Sequence, residues 1–110
     1  MKKQKWVNPK TDKLFNTILN IEDLSQARSF FRDLLTEQEI EEFANRWEVA
    51  VMLANNISYS KITKNTGMSS TTIARISKWL NKGMGGYKSL INKLEAKSKI
   101  HHHVTTSGMI

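Results

Sequence analysis

Residues 58–82 read SYSKITKNTGMSSTTIARISKWLNK, two short segments joined at one glycine. Ser58 can cap a helix over residues 59–66, its hydroxyl accepting a backbone N–H that would otherwise lack a partner. Gly67 then stands where the chain must leave the right-handed region, which only glycine does without steric cost. Ser69 or Ser70 caps the next helix, which runs to about Lys82 and stops at Gly83. Ile62, Ile73, Ile76 and Leu80 recur at helical spacing and would hold both helices against a core. Ser70, Thr71, Ala74, Arg75 and Lys78 are left facing largely outward. This is the plan of a helix-turn-helix, whose second helix enters the DNA major groove.

The flanking sequence extends the helical pattern in both directions. Thr36-Glu37-Gln38-Glu39 is a capping box, in which the threonine caps a helix and Glu39 reaches back. Ile40, Phe43, Ala44, Trp47, Ala50, Val51 and Ala54 follow at three- to four-residue spacing, to an end near Asn55-Asn56. Two earlier helices are predicted over residues 11–19 and 22–34, the second with a stripe of Leu24, Ala27, Phe30, Phe31 and Leu34 that reads as core. Beyond the helix-turn-helix, Gly83-Met84-Gly85-Gly86 breaks the chain. Tyr87, Leu90, Ile91 and Leu94 then mark a last helix, to residue 96 or 99. Residues 1–10 are expected to form a flexible basic arm, with Trp6 as the one side chain able to dock, and residues 100–110 a disordered tail. Nothing alternates at period two. The expectation is an all-α domain of six helices spanning residues 11–99.

Charge is distributed unevenly. The formal net charge is +7, and nine of the ten acidic residues lie between Asp12 and Glu48. From Val49 to Leu94 there are seven basic residues and no acid. A basic surface alone is common, but here it coincides with the helix-turn-helix, and the two together point to nucleic acid. With 110 residues and no cysteine, the chain is one small domain without disulfides or thiolate metal sites. It has no apolar run near the ~20 residues of a membrane helix and no secretory signal, so the cytoplasm is the expected location.

Enzyme chemistry finds little support. The GMGGY segment lacks the strand and the Lys-Ser/Thr of a phosphate loop. His101, His102 and His103 are consecutive, so they cannot all face one metal ion from a regular element. The glutamates at 37, 39, 41 and 42 suit the positive end of a helix dipole better than a metal site. Trp47 reads as a core residue. Helices with stripes this broad would leave apolar surface uncovered in a monomer, and a homodimer would bury it.

The run Leu35-Thr36-Glu37-Gln38-Glu39, Arg46, and the segment SSTTIARISKWLNKGMGGY resemble the tryptophan repressor superfamily, over about residues 12–94. The resemblance implies an intertwined bacterial homodimer that represses transcription at a palindromic operator on double-stranded DNA. By position, Ser60, Lys61, Thr63 and Lys64 would contact the DNA backbone, joined by Lys78. Ser70, Thr71, Thr72 and Ala74 would lie near base edges, with Arg75 beside them. Small hydroxyls there suit water-bridged or shape-based readout. The family's founding member is switched by L-tryptophan held between two arginines. Arg46 and Arg75 match that pair, and Leu35, Thr36 and Thr72 match other pocket positions. Where tryptophan-binding members carry glycine and serine, this chain carries Ile76 and Trp79. Two outcomes follow: a filled pocket with no corepressor required, or a pocket reshaped for another amino-acid-like effector or a shifted tryptophan. The competing class is a helix-turn-helix adaptor that binds protein.

Overall fold

The computed structural model describes residues 4–108, and these form helices α1 (Pro9–Ile18), α2 (Leu24–Leu34), α3 (Glu37–Ala54), α4 (Tyr59–Thr66), α5 (Ser70–Lys82) and α6 (Gly86–Gly108). No strand occurs among the described residues. The chain divides into two compact units, residues 1–40 and 41–110.

In the first unit, α1 begins earlier than its apolar spacing predicts. The Asn8 side chain accepts from the Thr11 N–H at 3.0 Å, while Asn8 N–H donates to the Thr11 hydroxyl at 3.1 Å. Pro9 takes the first helical position, where its missing N–H costs nothing. Trp6 packs edge-on against Phe15, with ring centroids 6.4 Å apart. Within the expected flexible arm over residues 1–10, Trp6 is the side chain that docks, α1 starts at Pro9, and residues 1–3 lie outside the described residues. Asp23 caps α2 by accepting from Gln26 N–H at 2.8 Å. The predicted core stripe of α2 does not form a core here. Neither α1 nor α2 contains a buried residue, and Leu24 and Leu34 are exposed. Two short helices present too little facing surface to enclose their own apolar stripes.

The capping box forms as its spacing requires: Thr36 N–H donates to Glu39 Oε1 at 2.9 Å, and Glu39 N–H donates to the Thr36 hydroxyl at 3.1 Å. At the far end of α3, Asn56 adopts φ 62°. Its N–H donates to Leu53 O at 3.0 Å, and Ile57 N–H donates to Met52 O at 3.0 Å. This paired closure through a left-handed residue is a Schellman ending, which asparagine tolerates.

The core belongs to the second unit. Val49, Ala50, Ile62, Ile73, Ile76, Leu80 and Ile91 are buried together, contributed by α3, α4, α5 and α6. Each isoleucine removed from water stabilises the fold by roughly 1.5–3 kcal/mol. The four apolar positions predicted for the helix-turn-helix all lie in this cluster. In α3 the fully buried positions are Val49 and Ala50, whereas Phe43, Ala44 and Ala54 of the predicted stripe remain exposed. Trp47 is half-buried, packs on the cluster, and meets Tyr87 of α6 at 6.1 Å between ring centroids. Helix α6 continues to Gly108, into residues 100–110, the segment expected to form a disordered tail. No glycine or proline interrupts residues 87–107, and each added helical residue contributes a hydrogen bond. Residues 109–110 lie outside the described residues.

Candidate nucleic-acid interface

The turn between α4 and α5 is held by specific bonds. Ser58 caps α4 by accepting from Lys61 N–H at 3.2 Å. Gly67 takes φ 74°, and its N–H donates to Thr63 O at 2.8 Å. The Thr66 hydroxyl donates to Ile62 O at 2.7 Å and accepts from Met68 N–H at 3.2 Å. Ser69 then caps α5, accepting from Thr72 N–H at 3.2 Å, with its own hydroxyl 3.0 Å from the Thr72 hydroxyl.

With Ile73, Ile76 and Leu80 buried, the rest of α5 is oriented by helical periodicity. Ser60, Lys61, Thr63 and Lys64 on α4 and Ser70, Thr71, Ala74, Arg75 and Lys78 on α5 are all exposed. The structure thus brings nine of the ten sequence-predicted DNA-contact residues to the outer surface of one helix pair. Thr72 differs: it is half-buried and belongs to the cap of α5. Lys61, Lys64, Arg75 and Lys78 make no ion pair among the described residues.

The residues expected around an effector divide. Arg46 and Trp79 line one groove of about 540 Å³, together with Trp47, Met84, Tyr87 and Leu90. Arg46 is already engaged there, its Nη2 2.8 Å from Glu42 Oε1 and its guanidinium 5.6 Å from the centre of the Phe43 ring. Ile76 does not line this groove, because its side chain is fully buried in the core. Its position on α5 matches the core face set by Ile73 and Leu80, as its helical spacing predicts. Thr72 and Arg75 are not part of the groove lining either. Leu35 and Thr36 lie in the first unit, where Thr36 caps α3 and Leu35 O accepts from Arg32 at 3.1 Å. Sequence reasoning missed Met84, Tyr87 and Leu90 as groove residues. The glycine-rich turn after α5 was the available signal, since it allows the chain to turn back and carry Met84 and Tyr87 past Trp79. At Gly83 a Cβ would collide with the Trp79 carbonyl oxygen, so this tight exit requires glycine.

Six helices with an exposed polar and basic α4–turn–α5 unit define a helix-turn-helix protein of the DNA-binding class. The family model for Trp repressor protein matches residues 9–95, and the chain belongs to that family. It is 42% identical over 84 residues to the uncharacterized protein YerC of Bacillus subtilis (strain 168), covering 76% of this chain and 81% of that one. A TrpR-like protein from Eubacterium eligens ATCC 27750 superimposes with a TM-score of 0.80 at 37% identity, over 83% of this chain and 94% of that one. A solved structure from Staphylococcus aureus also gives 0.80, at 30% identity, over 86% and 95% of the two chains. The six-helix, all-α Trp-repressor-like fold is thereby established, and with it membership in a family of DNA-binding regulators. No helix among the described residues is long and apolar enough to cross a membrane.

Proposed function

We propose that the chain is a cytoplasmic, sequence-specific transcriptional regulator that acts as a repressor, binding a palindromic operator as a homodimer through α5. The observation that carries this reading is the outer face of α4 and α5, where small hydroxyls and unpaired cations are exposed on a rigidly capped helix pair. Lys61, Lys64 and Lys78 supply backbone contacts, and the start of α5 lies against base edges. A competition gel-shift tests this. One sequence must resist excess random DNA, and uniform loss to competitor refutes it.

The dimer is supported by apolar surface that a single chain leaves open. In the first unit Trp6, Phe15, Leu19, Leu24 and Leu34 are 46% to 79% exposed, although α1 and α2 are amphipathic. In the second unit Phe43, Trp79, Met84, Leu90 and Leu94 are 41% to 82% exposed. A second copy would cover such faces and set two reading helices about one DNA turn, ~34 Å, apart. Sedimentation at micromolar concentration should give twice the monomer mass of 12.6 kDa; a stable monomer contradicts the dimer.

For regulation, we favour DNA binding without L-tryptophan in its ordinary pose. Trp79 forms part of the groove wall, and Glu42 neutralises the arginine that would meet a ligand carboxylate.

A further inference from the structure

The reading face of α5 is unusual in what it lacks. Its exposed side chains at the amino-terminal half are Ser70, Thr71 and Ala74, and no amide, carboxylate or guanidinium occurs before Arg75. Ser69 and Thr72 are tied to each other in the cap, and among the described residues the hydroxyls of Ser70 and Thr71 have no hydrogen-bond partner. Ala74 lies one turn beyond both of them, on the side of α5 opposite the buried Ile76 and Leu80. Arg75 and Lys78, both exposed, follow this short surface. The three small side chains would let the helix backbone approach the groove floor more closely than a face of glutamines or arginines.

From Ser70, Thr71 and Ala74, hydrogen-bond reading of guanine or adenine by a bidentate side chain is not available, since it needs Arg, Lys, Asn or Gln. What Ala74 and Thr71 present instead are methyl groups. The one methyl in the major groove of unmodified DNA is the C5-methyl of thymine, and apolar contact with it is made by Ala and by the Thr methyl. We infer that Ala74, assisted by the Thr71 methyl, is a specificity-determining residue that reads a thymine C5-methyl in each operator half-site. The inference rests on the DNA-binding reading above and adds the base chemistry that this face selects.

The test begins with the sequence best retained by the full-length protein against random competitor DNA. Each half-site thymine is replaced in turn by deoxyuridine, which removes only the methyl and keeps the pairing edge. At one position in each half-site the affinity should fall about fourfold, the effect of one methyl-sized apolar contact, and about fifteenfold when both half-sites are changed. Ala74→Ser, an exposed change that leaves the core intact, should narrow the difference between the thymine and deoxyuridine duplexes. Replacing the critical T·A pair by 5-methylcytosine paired with guanine should retain more affinity than unmethylated cytosine. If wild-type protein binds its selected sequence and no deoxyuridine substitution weakens it, the inference is overturned while DNA recognition stands. A thymine/deoxyuridine difference that persists unchanged in both Ala74→Ser and Thr71→Ser overturns the residue assignment. If no sequence survives competition, the DNA-binding reading fails and this inference with it.

Discussion

Ile76 and Trp79 stand three residues apart on α5 and serve different surfaces. Ile76 is fully buried beside Ile73 and Leu80, while Trp79 is 41% exposed and forms a wall of the groove that holds Arg46. Ile76→Ala should therefore destabilise the protein by about 2–5 kcal/mol, through lost burial and the cavity left behind. In protein diluted to the monomer, Trp79→Ala should cost about 1 kcal/mol or less, because that side chain is 41% exposed in the single chain. Urea denaturation of the two variants checks the contrast. Similar losses at both positions would contradict the assignment of these side chains.

The same geometry bears on the effector. Isothermal titration of wild-type protein with L-tryptophan should give no micromolar binding, because Trp79 lines the groove and Arg46 is paired with Glu42. Micromolar heats that disappear in Arg46→Ala would contradict this and restore an ordinary corepressor pocket.

Acid should weaken the start of α3. The Thr36 backbone N–H, and then the Thr36 hydroxyl, donate to the Glu39 carboxylate and hold its pKa below the ordinary 4.5. A folded-state pKa that is depressed means the contribution is complete above the ordinary value and is lost as pH falls through the lower folded value. The gap in Tm between wild type and Glu39→Ala should be constant from pH 7 to about 5, and should narrow below about 4.5. A gap that persists unchanged into strong acid would contradict the charged capping box.

Salt dependence tests the cationic contacts. Lys61, Lys64 and Lys78 are exposed and free of ion pairs among the described residues. Each Lys→Ala change removes one contact from each protomer of the dimer and should lower the slope of log K against log salt by about 1.8, with little effect on which sequence is preferred. Fluorescence anisotropy at several salt concentrations gives the slope. An unchanged slope in the triple variant would remove these residues from the interface.

Much of this was legible in the chain because local chemistry and core pattern agree there. Ser58, Gly67 and Gly83 bound α4 and α5 where their capping and turn chemistry requires, and Ile62, Ile73, Ile76 and Leu80 form the core between them. The Thr36–Glu39 box likewise follows from a three-residue spacing. Periodicity failed where it had to stand for tertiary burial. The α2 stripe is amphipathic yet unburied, since a helix pattern states which face seeks cover and not what covers it. At Ile76 periodicity succeeded, since its register with Ile73 and Leu80 places it in the core. The start of α1 was missed because the Asn8–Thr11 cap and Pro9 precede the first apolar repeat.

The most direct test of the central claim, that this chain is a homodimer reading a specific operator through α5, is selection of bound sequences from a random DNA pool. Run with and without L-tryptophan, it should enrich an inverted repeat whose half-sites are centred about one helical turn apart, with the same sequence in both conditions. An unenriched pool, or enrichment of a single unrepeated site, would contradict the account.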